Sequence, residues 1–142
     1  LVPHALFFIQ QGADVNAQDE AGFTPLHWAA VNDQHEMVGA LLKANANPDT
    51  LGSDDQTALH WAAMQGSFAV CHALVSFSAT VDVRDTFGFT PLLRAAQQNA
   101  TDVVRLLISS GGSVAARDGE GHTLLHWTAH YGHIDVMVLG LS

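Results

Sequence analysis

The sequence predicts an all-α fold in which helix-turn-helix units stack in a row, with a hairpin loop projecting before each unit. Three observations predict it. One phrase occurs four times: TPLHWAA at 24–30, TALHWAA at 57–63, TPLLRAA at 90–96 and TLLHWTA at 123–129. The four copies follow one another at a step of 33 residues, and apolar residues at helical spacing come after each copy. A fixed period of this length is typical of a repeat protein whose neighbouring units share a core.

Each copy of the phrase begins with the signals of a short helix. Thr24 is a good N-cap, and Pro25 suits the first helical position because that position needs no amide donor. Leu26, Ala29 and Ala30 then form a short apolar face. The alanines allow a neighbouring helix to approach closely.

A second helix with larger apolar residues follows each phrase. The residues recur at i, i+3 and i+4, which is the spacing of an apolar helical stripe. No single hairpin could bury such a stripe, so stacking is required. The stripes are Met37, Val38, Leu41 and Leu42; Phe68, Val70, Cys71, Leu74 and Val75; Val103, Val104, Leu106, Leu107 and Ile108; and Val136, Met137, Val138, Leu139 and Leu141.

Polar, glycine-containing segments separate the units. Gly22, Gly88 and Gly121 are placed to adopt positive φ in the projecting loops. The second loop differs, because Gly52 stands where the others have aspartate and Asp55 stands at the turn glycine. We expect amide hydrogen exchange to be fastest in this link and in the truncated last repeat. Asn16, Asp49 and Asp82 form another column, explained by turn formation and hydrogen bonds to the next repeat.

The period organises the whole chain as one domain over residues 1–142. We expect the ends to be incomplete repeats and the chain to be part of a longer protein, monomeric unless an exposed terminal apolar face associates. The predicted boundaries are a partial repeat at 1–18, full repeats at 19–51, 52–84 and 85–117, and a truncated repeat at 118–142.

Composition narrows the partners. The net charge is −9, with five Lys and Arg residues, so nucleic acid and anionic membrane surfaces are not expected. The single cysteine, Cys71, forms no intrachain disulfide and suits an intracellular, cytosolic compartment. No apolar run is long enough to cross a bilayer.

The 33-residue period, with TPLH, the alanine pair and GADVN at 12–16, resembles the ankyrin repeat over nearly the whole chain. The resemblance implies a non-catalytic protein-interaction module that binds on the concave surface formed by loops and first helices. Aromatic and amide side chains at positions that the repeat does not fix are typical of a peptide groove. The candidates are Phe23, Trp28, Val31, Asn32, Gln56, Trp61, Met64, Gln65, Phe87, Phe89, Gln97, Gln98, His122, His130 and Tyr131.

A narrower resemblance concerns LHWAAVN at 26–32 and the link DTLGSDDQTALHWAAMQG at 49–66. Both are similar to the ankyrin portion of the DHHC-type protein S-acyltransferases. That family implies recruitment of proteins for palmitoylation at the cytosolic face of endomembranes, through an extended segment with a Gln-Pro core. Matched motif by motif, its asparagine and tryptophan fall on Asn32 and Trp61. Asp33 and Arg94 depart from the family's pattern.

Two other interpretations stay open. The tryptophans Trp28, Trp61 and Trp127 could fill gaps between repeats, since large aromatics are most often packing residues. The stack could also be a structural spacer, or a scaffold of an unrelated protein that binds a folded partner.

Catalysis and metal binding are not expected, and no cofactor is implied. His122, His126, His130 and His133 have helical spacing, but no carboxylate or cysteine completes a ligand set. The histidines of the LHW phrases, such as His27 and His60, are expected to satisfy backbone groups between repeats. Cys71 occupies an apolar position and is expected to be a buried structural thiol.

Overall fold

The computed structural model describes residues 2–134. Over this range the chain forms eight α-helices, a single 3-10 turn at Ser53–Asp55 and no β-strand, which confirms the predicted all-α fold. The predicted last helix, with Val136, Met137, Val138, Leu139 and Leu141, lies outside the described residues. The helices are α1 (Val2–Gln10), α2 (Pro25–Val31), α3 (His35–Lys43), α4 (Ala58–Gln65), α5 (Phe68–Ser76), α6 (Pro91–Gln97), α7 (Thr101–Ser109) and α8 (Leu124–Tyr131).

The helices stack in two rows. The first helices α2, α4, α6 and α8 pack on one another in sequence, and so do the second helices α1, α3, α5 and α7. Within a repeat, α2 packs on α3, α4 on α5 and α6 on α7. This is the predicted solenoid, in which each hairpin buries its apolar side against its neighbours. In residues 2–134 no helix combines the length and the apolarity needed to span a bilayer.

Threonine caps start the first helices as predicted. Thr24, Thr57 and Thr90 have extended backbone, and each side-chain oxygen accepts a hydrogen bond from the amide three residues later at 3.3 Å. Pro25 and Pro91 then occupy the first helical position. The caps fix where each hairpin begins.

Small and branched apolar side chains make one continuous core. Phe68, which the periodicity assigns to the apolar stripe of α5, is instead 41% exposed and stacks on His72 at 5.8 Å between ring centroids. The buried apolar core residues of the first helices are Leu26, Ala29, Ala30, Ala58, Leu59, Ala62, Ala63, Leu92, Leu93, Ala95, Ala96 and Leu124, and those of the second helices are Val38, Leu41, Leu42, Val70, Cys71, Leu74, Val103, Val104 and Leu107.

Cys71 belongs to this core. Its side chain is fully buried in α5, and burial, with smaller contributions from Asp102 and Asp33, raises the pKa of the thiol to about 12. A thiol that stays protonated at neutral pH is a poor nucleophile. Cys71 is therefore a packing residue, as expected.

A glycine with positive φ forms the turn in every projecting loop except the second. Gly22, Gly88 and Gly121 have φ of 83°, 82° and 85°. In the second loop Asp54 and Asp55 have φ of 58° and 56°, a backbone conformation that residues other than glycine rarely adopt. Hydrogen bonds hold this strained turn, including one from the Thr86 amide to the Asp54 carbonyl at 2.8 Å. The fast exchange expected for this link stays a prediction.

Side chains at the loop ends tie each repeat to the next, as expected. The Asn47 amide donates to Asn16 Oδ1 at 2.8 Å. The Thr80 amide donates to Asp49 Oδ1 at 2.8 Å, and the Ser113 amide donates to Asp82 Oδ1 at 3.1 Å.

Buried histidines provide a second tie. His27 Nδ1 accepts from the Thr24 amide at 3.1 Å, and His27 Nε2 lies 3.0 Å from the Gln56 carbonyl of the next repeat. His60 repeats this arrangement with the Thr57 amide at 3.1 Å and the Phe89 carbonyl at 2.8 Å. A ring that accepts at Nδ1 and donates at Nε2 is neutral. The expected bridging role of these two histidines is confirmed.

These histidines make stability depend on pH. Burial lowers the pKa of His27 and of His60, so the folded chain stays unprotonated where the unfolded chain binds protons, below about pH 6.5. We predict that the free energy of unfolding falls as the pH falls from about 6.5 through the folded pKa values. Urea unfolding between pH 7.5 and 5.5 measures this fall.

Two histidine variants test whether the buried His60 causes this pH dependence. His60→Asn should reduce the pH slope, whereas His35→Asn, at an exposed position, should leave it unchanged. Equal slopes for all three chains would contradict the prediction.

Candidate peptide-binding surface

An aspartate organises the loop before three of the first helices. Asp19, Asp85 and Asp118 each use Oδ1 to accept backbone N–H groups two and four residues later, at 2.9 to 3.1 Å. This is an Asx-type turn, in which the side chain holds the loop. Their second oxygen, Oδ2, is then directed at the first helix.

That second oxygen binds the side chain nine residues later. Trp28 Nε1 donates to Asp19 Oδ2 at 2.9 Å, and Trp127 Nε1 donates to Asp118 Oδ2 at 2.8 Å. We call this contact the aspartate clasp. Trp28 is 49% exposed and so does not fill a gap between repeats, whereas Trp127 is partly buried against the core.

Arginine replaces the indole in the third repeat. Arg94 donates from Nε at 3.1 Å and from Nη2 at 2.7 Å to the same Oδ2 of Asp85, and it also lies 4.1 Å above the Phe89 ring centre. Gln56 Nε2 donates to that oxygen at 3.1 Å. A buried carboxylate with this many donors is well compensated.

The clasps favour the ionised aspartates. Burial opposes ionisation of Asp85, but the hydrogen bonds from Arg94 and Gln56 outweigh it and hold the pKa of Asp85 below its usual value. The hydrogen bond from Trp28 is the largest cause of a lowered pKa at Asp19.

One repeat has no clasp. Gly52 occupies the aspartate position, and Trp61 occupies the position of the clasped residue. Trp61 Nε1 is buried and has no hydrogen-bond partner within the part of the chain that the structure describes. Trp61 therefore differs from Trp28 and Trp127 in hydrogen bonding, although the three share one sequence phrase.

Phe23 joins the first two LHW repeats. Its ring meets Trp28 edge-on at 5.6 Å between centroids and Trp61 edge-on at 5.8 Å. We call Phe23, Trp28 and Trp61 the Phe23 cluster. The structure thus brings together three of the residues that the sequence proposes as a site.

Amide side chains lie at the ends of α2 and α4. Asn32 Nδ2 donates to the Trp28 carbonyl at 2.9 Å, and Gln65 Nε2 donates to the Val31 carbonyl. Both side chains are exposed, and Met64 beside Gln65 is half-buried. Asn32 also lines a shallow depression of about 340 Å³ with Ala5, Pro25, Trp28, Ala29, Gln34, Met37 and Leu41.

A second group of candidates lies around Phe89. Trp127 lies 5.6 Å from Phe89 and 5.9 Å from Tyr131 between ring centroids. The depression beside Phe89 has a volume of about 460 Å³, and its lining residues are Phe87, Phe89, Arg94, Gln97, Asp118, Glu120 and Trp127.

Other candidates are placed less favourably. Gln56 is buried and binds Asp85, so its inclusion among contact residues is wrong. His122 and His130 pack edge-on against Trp127 at 5.4 and 5.8 Å. Among residues 2–134 no three His, Cys, Asp or Glu side chains gather as metal ligands.

Sequence reasoning missed the structural role of the aspartates. Asp19, Asp85 and Asp118 each precede an indole or guanidinium by nine residues, and this spacing is visible in the sequence. The residue nine positions earlier also distinguishes the tryptophans, because it is Gly52 for Trp61 and aspartate for Trp28 and Trp127.

Comparison with known proteins places the chain in a family. A family model described as ankyrin repeats (3 copies) matches residues 3–85 and 70–139. The chain belongs to the ankyrin-repeat family, whose fold is a non-catalytic interaction fold.

Several ankyrin proteins share short stretches with it. Palmitoyltransferase akr1 of Schizosaccharomyces pombe is 49% identical over 45 residues, which are 32% of this chain and 7% of that protein. Palmitoyltransferase akr1 of Aspergillus oryzae is 40% identical over 47 residues, 33% of this chain and 6% of that protein. Ankyrin repeat family A protein 2 of Homo sapiens is 44% identical over 50 residues, 35% of this chain and 16% of that protein. The chain thus corresponds to a small part of these relatives.

The clasp predicts how the third repeat responds to mutation. Arg94→Ala should lower the free energy of unfolding by about 1–3 kcal/mol, because a buried carboxylate loses its charged donor. Arg94→Trp should lower the free energy of unfolding much less, since the indole can donate to Asp85 as Trp28 does to Asp19. Urea unfolding at pH 7 compares the two variants.

The pH dependence provides the control. The pKa of Asp85 is lowered in the fold, so its contribution is present above about pH 4 and is lost as the pH falls through the folded pKa. The difference in the free energy of unfolding between wild type and Arg94→Ala should shrink as the pH falls over that range. A constant difference, or equal losses in both variants, would be inconsistent with the clasp.

Proposed function

We propose that the Phe23 cluster and the amides of Asn32 and Gln65 bind an extended peptide segment of a partner protein. The observation that carries the proposal is the adjacency of aromatic rings and exposed amides on α2, on α4 and in the residues flanking α2. Aromatic faces suit proline and apolar side chains, while amides pair with backbone or glutamine groups. The net charge of −9 favours a neutral or basic segment.

Asn32 is prepared for such a contact. The bond from its Nδ2 to the Trp28 carbonyl fixes the amide at the end of α2. Residues 2–134 supply no donor to Asn32 Oδ1 in this arrangement, so the oxygen can accept an N–H from the peptide. Gln65, bonded to Val31, connects this position to α4.

We further propose that the parent protein is a membrane-bound palmitoyltransferase and that this surface recruits its substrates at the cytosolic face of endomembranes. The partial similarity of the chain to two palmitoyltransferases named akr1 supports this proposal. The expected ligand is a segment with an apolar pair followed by Gln-Pro. The chain would bind it as a monomer.

Peptide binding tests the proposal. The probe is an acetylated and amidated eight-residue peptide in which two adjacent valines are followed by Gln-Pro, titrated into the 142-residue chain by calorimetry. Removal of an anchoring aromatic costs about 2 kcal/mol or more, so Trp61→Ala should weaken binding by about 30-fold or more. Asn32→Ala should weaken it by about 3- to 10-fold.

Two controls make the result specific. Phe87→Ala removes an aromatic ring that is 54% exposed but lies outside the Phe23 cluster, and it should leave affinity unchanged. A peptide with Gln-Ala in place of Gln-Pro should bind more weakly. No binding by folded wild-type chain would exclude this class of ligand.

A further inference from the structure

The buried donor of Trp61 calls for an acceptor. Within residues 2–134 its Nε1 is both inaccessible to solvent and without a partner. A buried polar group left unpaired costs about 1–3 kcal/mol. The equivalent nitrogens of Trp28 and Trp127 avoid that cost through the clasp. Such an uncompensated group is uncommon in a native fold and needs an explanation, of which a functional role is one.

The cause lies in the second loop. A Cβ placed on Gly52 would lie 2.8 Å from Phe23 Cδ1 and 3.3 Å from His27 Nε2. An aspartate there would therefore collide with the Phe23 ring in its present position. Phe23 fills the space from which a clasp carboxylate would reach Trp61, and its ring packs edge-on against the indole.

We infer that Trp61 Nε1 is the donor for a neutral carbonyl oxygen of the bound peptide, and that the Phe23 ring is a movable cover over it. The inference rests on the proposed peptide-binding function and specifies one contact within it. In this arrangement the peptide supplies to the second repeat the acceptor that Asp19 supplies to the first.

The surroundings select a carbonyl over a carboxylate. Asp54 and Asp55 lie in the same turn as Gly52, and the side chains of both residues are exposed. A further negative charge beside these two carboxylates would be repelled, whereas an amide carbonyl carries no net charge. The partner is therefore a peptide that presents a backbone or glutamine carbonyl at this point.

Phe23 is suited to move. Its side chain is half-buried, and Gly22 before it has a φ of 83°. Its ring touches His27, Trp28 and Trp61 at centroid distances of 5.5 to 5.8 Å. Phe23 lies in the loop before α2, so the inferred rotation of its side chain away from Trp61 Nε1 needs no helix to move, and the bound peptide would replace the lost aromatic contact.

A small-molecule titration tests the donor directly. N,N-dimethylacetamide, which has a carbonyl and no N–H, is added to the ¹⁵N-labelled chain, and the three indole N–H signals are followed. Trp→Phe variants at 28, 61 and 127 assign the signals. We expect the Trp61 proton to shift downfield more than the other two, and more strongly in Phe23→Ala. Acetate at equal concentration should shift it less.

Equal shifts of all three signals would overturn the inference, as would a Trp61 signal that stays still in both wild type and Phe23→Ala. The latter result would mean that the indole is inaccessible or keeps an internal partner. In the Phe23→Ala background, where the ring that an aspartate at 52 would meet is gone, Gly52→Asp supplies a competing carboxylate and should suppress the response of Trp61.

Peptide binding separates the inference from the proposal on which it rests. Trp61→benzothienylalanine keeps the size of the ring and replaces the N–H by sulfur, and it should weaken binding of the Gln-Pro peptide by about 3- to 10-fold. Unchanged affinity in that variant would overturn the inference while leaving peptide binding intact. If wild-type chain binds no such peptide, the proposed function fails, and the dimethylacetamide titration alone decides the donor site.

Discussion

The bond from a buried histidine to the carbonyl of the next repeat is the constraint on which the stack depends. His27 and His60 reach forward 29 residues, and each also completes the cap of its own helix through the threonine three residues earlier. One neutral ring thus fixes a helix start and the position of the following loop together. Because the cap and the bridge share one imidazole ring, neither can shift without the other.

The aspartate clasp adds a constraint within the repeats that begin with an aspartate, and the second repeat lacks it. At Asp19, Asp85 and Asp118 one carboxylate shapes the loop and holds an indole or guanidinium. Gly52 removes that carboxylate, leaves a strained turn of two aspartates behind it and lets Phe23 occupy the space. The irregular loop is where the aromatic cluster and the unpaired donor meet, which is why we locate binding there.

Most of the fold and part of the candidate site could be predicted from the sequence. The repeat, the threonine caps, the bridging histidines and the buried Cys71 followed from spacing and residue type. The exposure of Phe68 and the burial of Gln56 did not, since periodicity assigns a face but not the partners across it. Trp61 could be named from a resemblance, whereas its hydrogen-bonding state required the positions of Gly52 and Phe23 in space.

The most direct test of the account uses the free chain without any ligand. The three indole N–H resonances are assigned, and their proton shifts are compared. A hydrogen bond to a carboxylate moves such a proton downfield, so the signals of Trp28 and Trp127 should lie downfield of that of Trp61. A Trp61 signal as far downfield as the other two would show that its donor is already paired, and would contradict the account.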